Sequence, residues 1–289
     1  MSLAALEAAK AAKALAITLN DHGMTPRFAD DDVFVATNAR DSFNGGLGTD
    51  TVSYMQSSAG VNVYLQAGVQ GSGGMATGDT LISVENAIGS GQRDQLFGTS
   101  GANTLVGLGG DDNLFGNFGS DRLFGDGGND YILGLARTFE TVLIDGGTGD
   151  DTLIFHTRGG DATIVTGAGL DKVEIEIGNS ESFHIVIKDF NPYVEMQSIF
   201  GRITEAEANT GDRIAIKFDQ DHFAGEHDLF AHRLEAVGDD IILHLTHPGV
   251  DGEIVFENLG QQVDLIGPFS RMNEDFLIDF GTFARLLPA

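Results

Sequence analysis

The chain has 289 residues, 42% of them apolar, and carries 43 Asp and Glu against 16 Lys and Arg, a formal charge of −27. That apolar share supports a folded core, and the length suits one large domain or two modest ones. The acidic excess gives nucleic acid the wrong Coulomb sign as a partner. The lack of Cys excludes disulfides, thiolate metal sites and cysteine catalysis, and no apolar run of about 18 residues is present to span a membrane as a helix.

Residues 1–27 begin MSLAALEAAKAAKALAITL. Glu7, Lys10 and Lys13 interrupt any apolar core of a cleavable signal. Ala and Leu on one stripe predict instead a helix from Leu3 to Leu15, an N-terminal cap on the rest of the chain.

Residues 28–176 are dominated by a period of nine. GSGQRDQLF, GTSGANTLV, GLGGDDNLF, GNFGSDRLF and GDGGNDYIL run without interruption from 89 to 133. Gly opens each copy. The sixth position is Asp94, Asn103, Asp112, Asp121 and Asp130, and the eighth is Leu96, Leu105, Leu114, Leu123 and Ile132. GGLGTDTVS at 45–53 and GGTGDDTLI at 146–154 match well, with Asp50 and Asp151; weaker copies at 36–44 and 166–174 supply Asp41 and Asp171. Between Gly134 and Asp145 the period slips by three residues, and Glu140-Thr141-Val142 is placed in the Asp-x-apolar frame.

The pattern predicts a six-residue turn followed by a very short strand with one inward apolar side chain. Glycines in the turn permit positive φ and expose carbonyls. Two copies make one coil, so turns 18 residues apart stack: Asp94, Asp112 and Asp130 on one side, Asn103 and Asp121 on the other. Stacked parallel strands lie about 4.8 Å apart, and unpaired carboxylates at that spacing repel strongly. A hard divalent cation between coils removes the conflict. Calcium, with six to eight oxygen ligands, suits a turn offering carboxylates and carbonyls; magnesium and zinc suit it less.

These copies resemble the hemolysin-type calcium-binding (RTX) repeats of secreted bacterial proteins, over about residues 36–175. The resemblance implies an all-β fold, a parallel β-roll binding several Ca²⁺ ions, with a short helical N-terminal cap and a β-rich C-terminal cap. It implies side-chain ligands at Asp50, Asp94, Asp112, Asp121, Asp130 and Asp151, with Asp171 in addition, and carbonyl donors at Gly46, Gly48, Gly110, Gly119, Gly128, Gly147 and Gly149. Asn103 is neutral and implies a weaker site. Gln92, at the fourth position of the first copy, departs from the pattern beside Asp94, and Asp126 adds a second acid near Asp130. Residues 50–90 resemble a wider turn of the same solenoid, with a strand at 61–65; Asp79 stands in an Asp-x-apolar frame and is a further ligand candidate or a solvated turn acid.

In residues 177–289 glycine thins out and alternation predicts strands at 183–190, 213–218, 233–237, 241–246 and 253–257, a hairpin turn at 247–252, and a helix at 194–208. This part is expected to cap the roll, since end coils otherwise expose strand edges. The tail NEDFLIDFGTFARLLPA resembles the uncleaved signal of type I secretion, which makes that machinery an expected partner.

Neither HExxH, GxSxG nor a P-loop is present, and the glycine runs do not open a helix in a βαβ unit. His222, His227 and His232, beside Asp221, Glu226 and Asp228, are spaced for neither one helix face nor one strand face, and are expected to be surface polar residues in a loop. The chain therefore reads as a secreted calcium-binding protein, extracellular or on the cell surface. Its expected role is structural or interactive, toward a glycan or protein. Two alternatives stand beside it: a hydrolytic or carbohydrate-active site within 177–289, and an export module of a larger toxin or adhesin.

Overall fold

The structure, a computed structural model, describes residues 31–178, 182–189, 213–218, 231–237, 239–247, 250–257 and 276–277. The predicted helices at 3–15 and 194–208 and most of the acidic-apolar tail lie outside these. Among the described residues the helical content is a single 3₁₀ turn, Gly74–Ala76.

Two sheets face each other, and the chain winds from one to the other as a solenoid. The first sheet takes Val33–Val35, Thr51–Ser53, Asn86–Ile88, Thr104–Gly109, Arg122–Gly127, Thr141–Thr148, Asp161–Val165, Ser182–Lys188 and Val250–Phe256, each parallel to its neighbour. The second takes Asn62–Tyr64, Gln95–Phe97, Asn113–Phe118, Tyr131–Arg137, Thr152–Arg158, Lys172–Ile177 and Arg213–Phe218, likewise parallel. Ser42–Asn44 and Thr80–Ile82 form a small parallel pair of their own. This is the all-β parallel roll that the nonapeptides predict.

The inward side chain of each short strand builds the core. Val52, Ala87, Leu105 and Leu123 stand in register in the first sheet, and Val63, Leu96, Leu114, Ile132, Leu153 and Val173 in the second. The eighth-position residues Leu96, Leu105, Leu114, Leu123, Ile132 and Leu153 are 0% exposed, so each contributes the full burial term of about 2–3 kcal/mol. A strand with one such residue cannot hold alone; its stability comes from the neighbouring coils.

The slip after Gly134 resolves differently from the expected frame. Arg122 pairs with Leu143 and Leu123 with Ile144, so Ile144, and not Val142, takes the apolar place after Asp121. Extra residues lengthen the strands to seven or eight, and a second inward row appears: Phe155, Ile175 and Ile185 are buried alongside Leu153, Val173 and Ile187. The roll therefore widens where the nonapeptide period is lost.

The C-terminal strands fall close to their predicted places and join the same sheets. Ser182–Lys188 and Arg213–Phe218 continue the two parallel stacks. Val250–Phe256 adds one more parallel strand, and Asp240–His247 and Ala231–Val237 complete an antiparallel meander at that end. His247 pairs with Val250, so the strands run into the predicted turn at 247–252 from both sides, through His247 and from Val250 onward. Phe276–Leu277 lies antiparallel on Arg213–Phe218.

Candidate metal centre

Each sixth-position acid lies at the entrance of a strand, held by three features of the repeat. Its backbone carbonyl accepts the N–H of the seventh residue one coil on: Asp94 from Asn113, Asp112 from Tyr131, Asp130 from Thr152 and Asp151 from Lys172, at 2.8–2.9 Å. Its Oδ1 accepts the N–H of the equivalent residue one coil back: Asp112 from Asp94, Asp130 from Asp112, Asp151 from Asp130 and Asp171 from Asp151, at 2.7–2.9 Å. The third feature is the opening glycine. A Cβ on Gly107, Gly116, Gly125 or Gly146 would collide with Oδ2 of Asp112, Asp121, Asp130 or Asp151 respectively. That glycine is needed for space, because its φ is not in the left-handed region.

Two columns result. One holds Asp94, Asp112, Asp130, Asp151 and Asp171 in successive coils. The other holds Asp50, Glu85, Asn103 and Asp121. Asp50, Asp94, Asp112, Asp121, Asp130, Asp151 and Asp171 are all at most 2% exposed, which is exceptional for carboxylates. The Oδ2 atoms of Asp50, Asp112, Asp121, Asp130 and Asp151 are buried and have no hydrogen-bond partner.

Electrostatics follows from that burial. Burial pushes Asp112 and Asp151 up to about 8, Asp121 to about 7 and Asp130 to about 6, although a backbone donor pulls each one down. Neighbouring acids add to the rise: Asp94 and Asp130 for Asp112, Asp130 and Asp171 for Asp151, and Glu140 for Asp121. Burial also raises Asp50 and Asp94. These groups are ordered, desolvated and short of positive charge.

The turn glycines expected to donate carbonyls share one conformation. Gly46, Gly48, Gly110, Gly119, Gly128, Gly147 and Gly149 all have φ between 88° and 135°. They also stack tightly: a Cβ on Gly128 would meet the Gly110 carbonyl, and one on Gly149 the Gly128 carbonyl. The Gly147 carbonyl accepts the Ala168 N–H at 2.8 Å. The candidate ligand atoms in these turns, carboxylate and carbonyl, are all oxygen. A buried carboxylate oxygen with no donor, a pocket kept open by glycine and a carbonyl-rich loop together fit calcium.

Not every predicted residue shares this geometry. Asp79 accepts the Asp41 N–H on Oδ1 and the Tyr54 hydroxyl on Oδ2 at 3.1 Å, so both oxygens have donors. Asp94 is closed by Ser90, through its N–H to Oδ2 and its hydroxyl to Oδ1. Asn103 accepts from Thr99 and donates to the Glu85 carbonyl.

One acid that belongs here, Glu85, escapes the sequence pattern, and a second, Glu140, falls outside the frame expected for it. Glu85 occupies the sixth position between Asp50 and Asn103, and its Oε2 accepts the Asp50 N–H at 2.8 Å. Its signal was present: counting back nine residues from Gly89 gives TLISVENAI, with Glu85 two residues before Ala87, but with no glycine to mark the copy. Glu140 is not in the aspartate frame; its Oε2 instead accepts the N–H of Arg137 and of Gly119, which brings a carboxylate to the Asp121 turn. Of the histidine cluster, His222 and His227 lie outside the described residues, and His232 is in a strand, paired with Leu245, where a loop was expected.

The family described as RTX calcium-binding nonapeptide repeat (4 copies) matches residues 28–54, 88–123 and 97–132. No curated protein matches the chain.

Proposed function

From the premise that this chain is a calcium-binding protein of RTX repeats, we propose that it is secreted, that calcium drives the folding of its roll, and that its role is structural or interactive at a cell surface. The observation that carries the folding mechanism is the row of buried Oδ2 atoms at Asp112, Asp121, Asp130 and Asp151, ordered by the backbone yet given no donor. Calcium supplies two positive charges and accepts oxygen ligands from both coils that flank it.

Without metal, Asp112, Asp130 and Asp151, when ionised, repel at the spacing of adjacent coils, by about 3 kcal/mol per pair at an effective dielectric near 20, and Glu140 opposes Asp121 in the same way. The metal-free chain is then biased toward the unfolded state, the form that a secretion channel passes. The charge of −27 and the resemblance of the tail to a type I signal support export by that route. No helix among the described residues is long and apolar enough to cross a membrane. Outside the cell, each site stabilises the roll by RT ln(1 + [Ca²⁺]/Kd), about 1.4 kcal/mol when calcium is tenfold above Kd. Four such sites give about 6 kcal/mol, within the usual net stability of a domain, about 5–15 kcal/mol.

Circular dichroism with and without chelator tests the mechanism. The β signal is expected to be largely lost on chelation and regained with calcium. An unchanged spectrum after complete metal removal rejects it.

A further inference from the structure

The turns of this roll fall into two kinds, and the residue at the second position separates them. In three copies that residue is Ser or Thr. Thr37 sends its N–H to Asp41 Oδ2 at 2.8 Å, and its hydroxyl lies 3.0 Å from the same oxygen. Ser90 sends both its N–H and its hydroxyl to Asp94, the hydroxyl at 2.9 Å. Thr99 sends its N–H to Asn103 Oδ1 at 2.6 Å, with its hydroxyl 3.2 Å away. In all three the fourth residue closes the loop by donating its N–H to that hydroxyl at 3.1 Å: Ala39, Gln92 and Gly101.

In the other kind the second residue is left-handed. Gly46, Leu108, Asn117, Asp126 and Gly147 have φ of 88°, 80°, 65°, 69° and 100°. Their N–H groups do not reach the acid, and the Oδ2 atoms of Asp50, Asp112, Asp121, Asp130 and Asp151 stay buried without a donor. Leu108, Asn117 and Asp126 hold this conformation without being glycine, at a cost of about 1 kcal/mol or more each. Such strain persists only where the surroundings impose it.

We infer that the second-position residue decides which turns take calcium: Thr37, Ser90 and Thr99 stand in for the cation with their own N–H and O–H dipoles, and only the left-handed turns bind it. This rests on the calcium function proposed above and adds a rule to it. The hydroxyl and amide occupy the oxygen that an ion would need, so a closed turn has no ligand to offer. Tyr54 plays the same part for Asp79 by another route. The closed turns gather toward the N-terminal side of the repeats, at 37–41, 90–94 and 99–103, and the open turns dominate from 107 to 151. One stretch of the roll is thereby built to hold its turns without metal, next to one that requires it.

Calcium stoichiometry of the full chain, measured by equilibrium dialysis at saturating calcium, tests the rule. Asn103→Asp alone adds a charge but leaves Thr99 in place, and is expected to bind the same number of ions as the parent. Thr99→Gly with Asn103→Asp opens the turn, and is expected to bind one more. Asn117→Thr, at an exposed position, is expected to close the Asp121 turn and bind one fewer, and to retain more β signal in chelator. Equal stoichiometry in all four proteins, or a gain from Asn103→Asp alone, overturns the rule while leaving calcium binding intact. A parent chain that binds no calcium overturns the proposed function itself, and the rule with it. Should Thr99→Gly/Asn103→Asp not fold, Asn117→Thr decides the matter alone.

Discussion

Replacing Asp130 by Asn should change the sign of its effect with calcium. The amide keeps an oxygen for the Asp112 N–H, now bonded at 2.8 Å, and leaves the backbone bond from Thr152 intact. Only the charge and the donorless oxygen are removed. Asp130 is 2% exposed and pushed from 3.8 up to about 6, so its ionised form costs the folded, metal-free protein about 3 kcal/mol at mildly alkaline pH. The variant should recover a large part of that in chelator. In calcium it should lose stability, because Asp130 faces Asp112 on one side and Asp151 on the other, and weakening both gaps removes about 1–3 kcal/mol of binding free energy. Urea midpoints in chelator and in millimolar calcium measure the two effects. Asp130→Ala supplies the contrast: it also deletes the Asp112 acceptor and should destabilise under both conditions. If Asp130→Asn destabilises equally with and without metal, the buried oxygen is satisfied by something other than a cation and the mechanism is wrong.

Acid should act on the metal-free protein in the opposite direction to ordinary acid unfolding. Asp112, Asp121, Asp130 and Asp151 bind protons more tightly folded than unfolded, so stability is greatest below about pH 4 and falls as pH rises through 6 to 8; chelated protein melted across that range should show the decline. Calcium competes with those protons, so its apparent affinity should climb over the same interval, measurable by titration calorimetry at several pH values. Gly125→Ala should cost about 1–3 kcal/mol, because its Cβ would meet Asp130 Oδ2 and the Gly146 carbonyl, whereas Gly91→Ala meets nothing within 4 Å and should stay within about 0.5 kcal/mol; thermal melts of the two variants compare them.

The roll and its aspartate columns were legible because one nonapeptide carries both. Glycine at position one, an acid or its amide at six and an apolar residue at eight repeat in register from 89 to 133, and each has a local physical cause. Residues whose role depends on a neighbouring coil were not legible. Glu85 joins the column through the Asp50 N–H, 35 residues away in sequence, without a glycine beside it. Glu140 reaches Gly119 from a turn whose length departs from the period. Asp94 lost its open oxygen to Ser90, a residue that the repeat pattern treats as neutral at position two. The apolar place after the slip at Gly134–Asp145 lies two residues beyond the expected Val142 because lengthened strands bury Val142 and Ile144 alike, and only the pairing to Leu123 selects between them.

The hydrogen bonds of the turns also give the stack a direction. At the sixth position, N–H groups donate forward along the chain, from Asp94 to Asp112 to Asp130 to Asp151 to Asp171. At the fifth, exposed position, they donate backward, from Asn129 to Asp111, from Asp150 to Asn129 and from Leu170 to Asp150. Neighbouring coils are thus cross-braced inside and outside the turn, and each carboxylate's Oδ1 is placed only once the preceding coil has formed. The donorless Oδ2 is positioned as a consequence of that bracing, so a calcium site is complete only when two adjacent coils are folded. Binding and coil stacking are therefore one step. Calcium-driven folding should spread coil by coil through the open turns, with the closed turns at 90–94 and 99–103 providing the edge on which the first metal-dependent coil is laid.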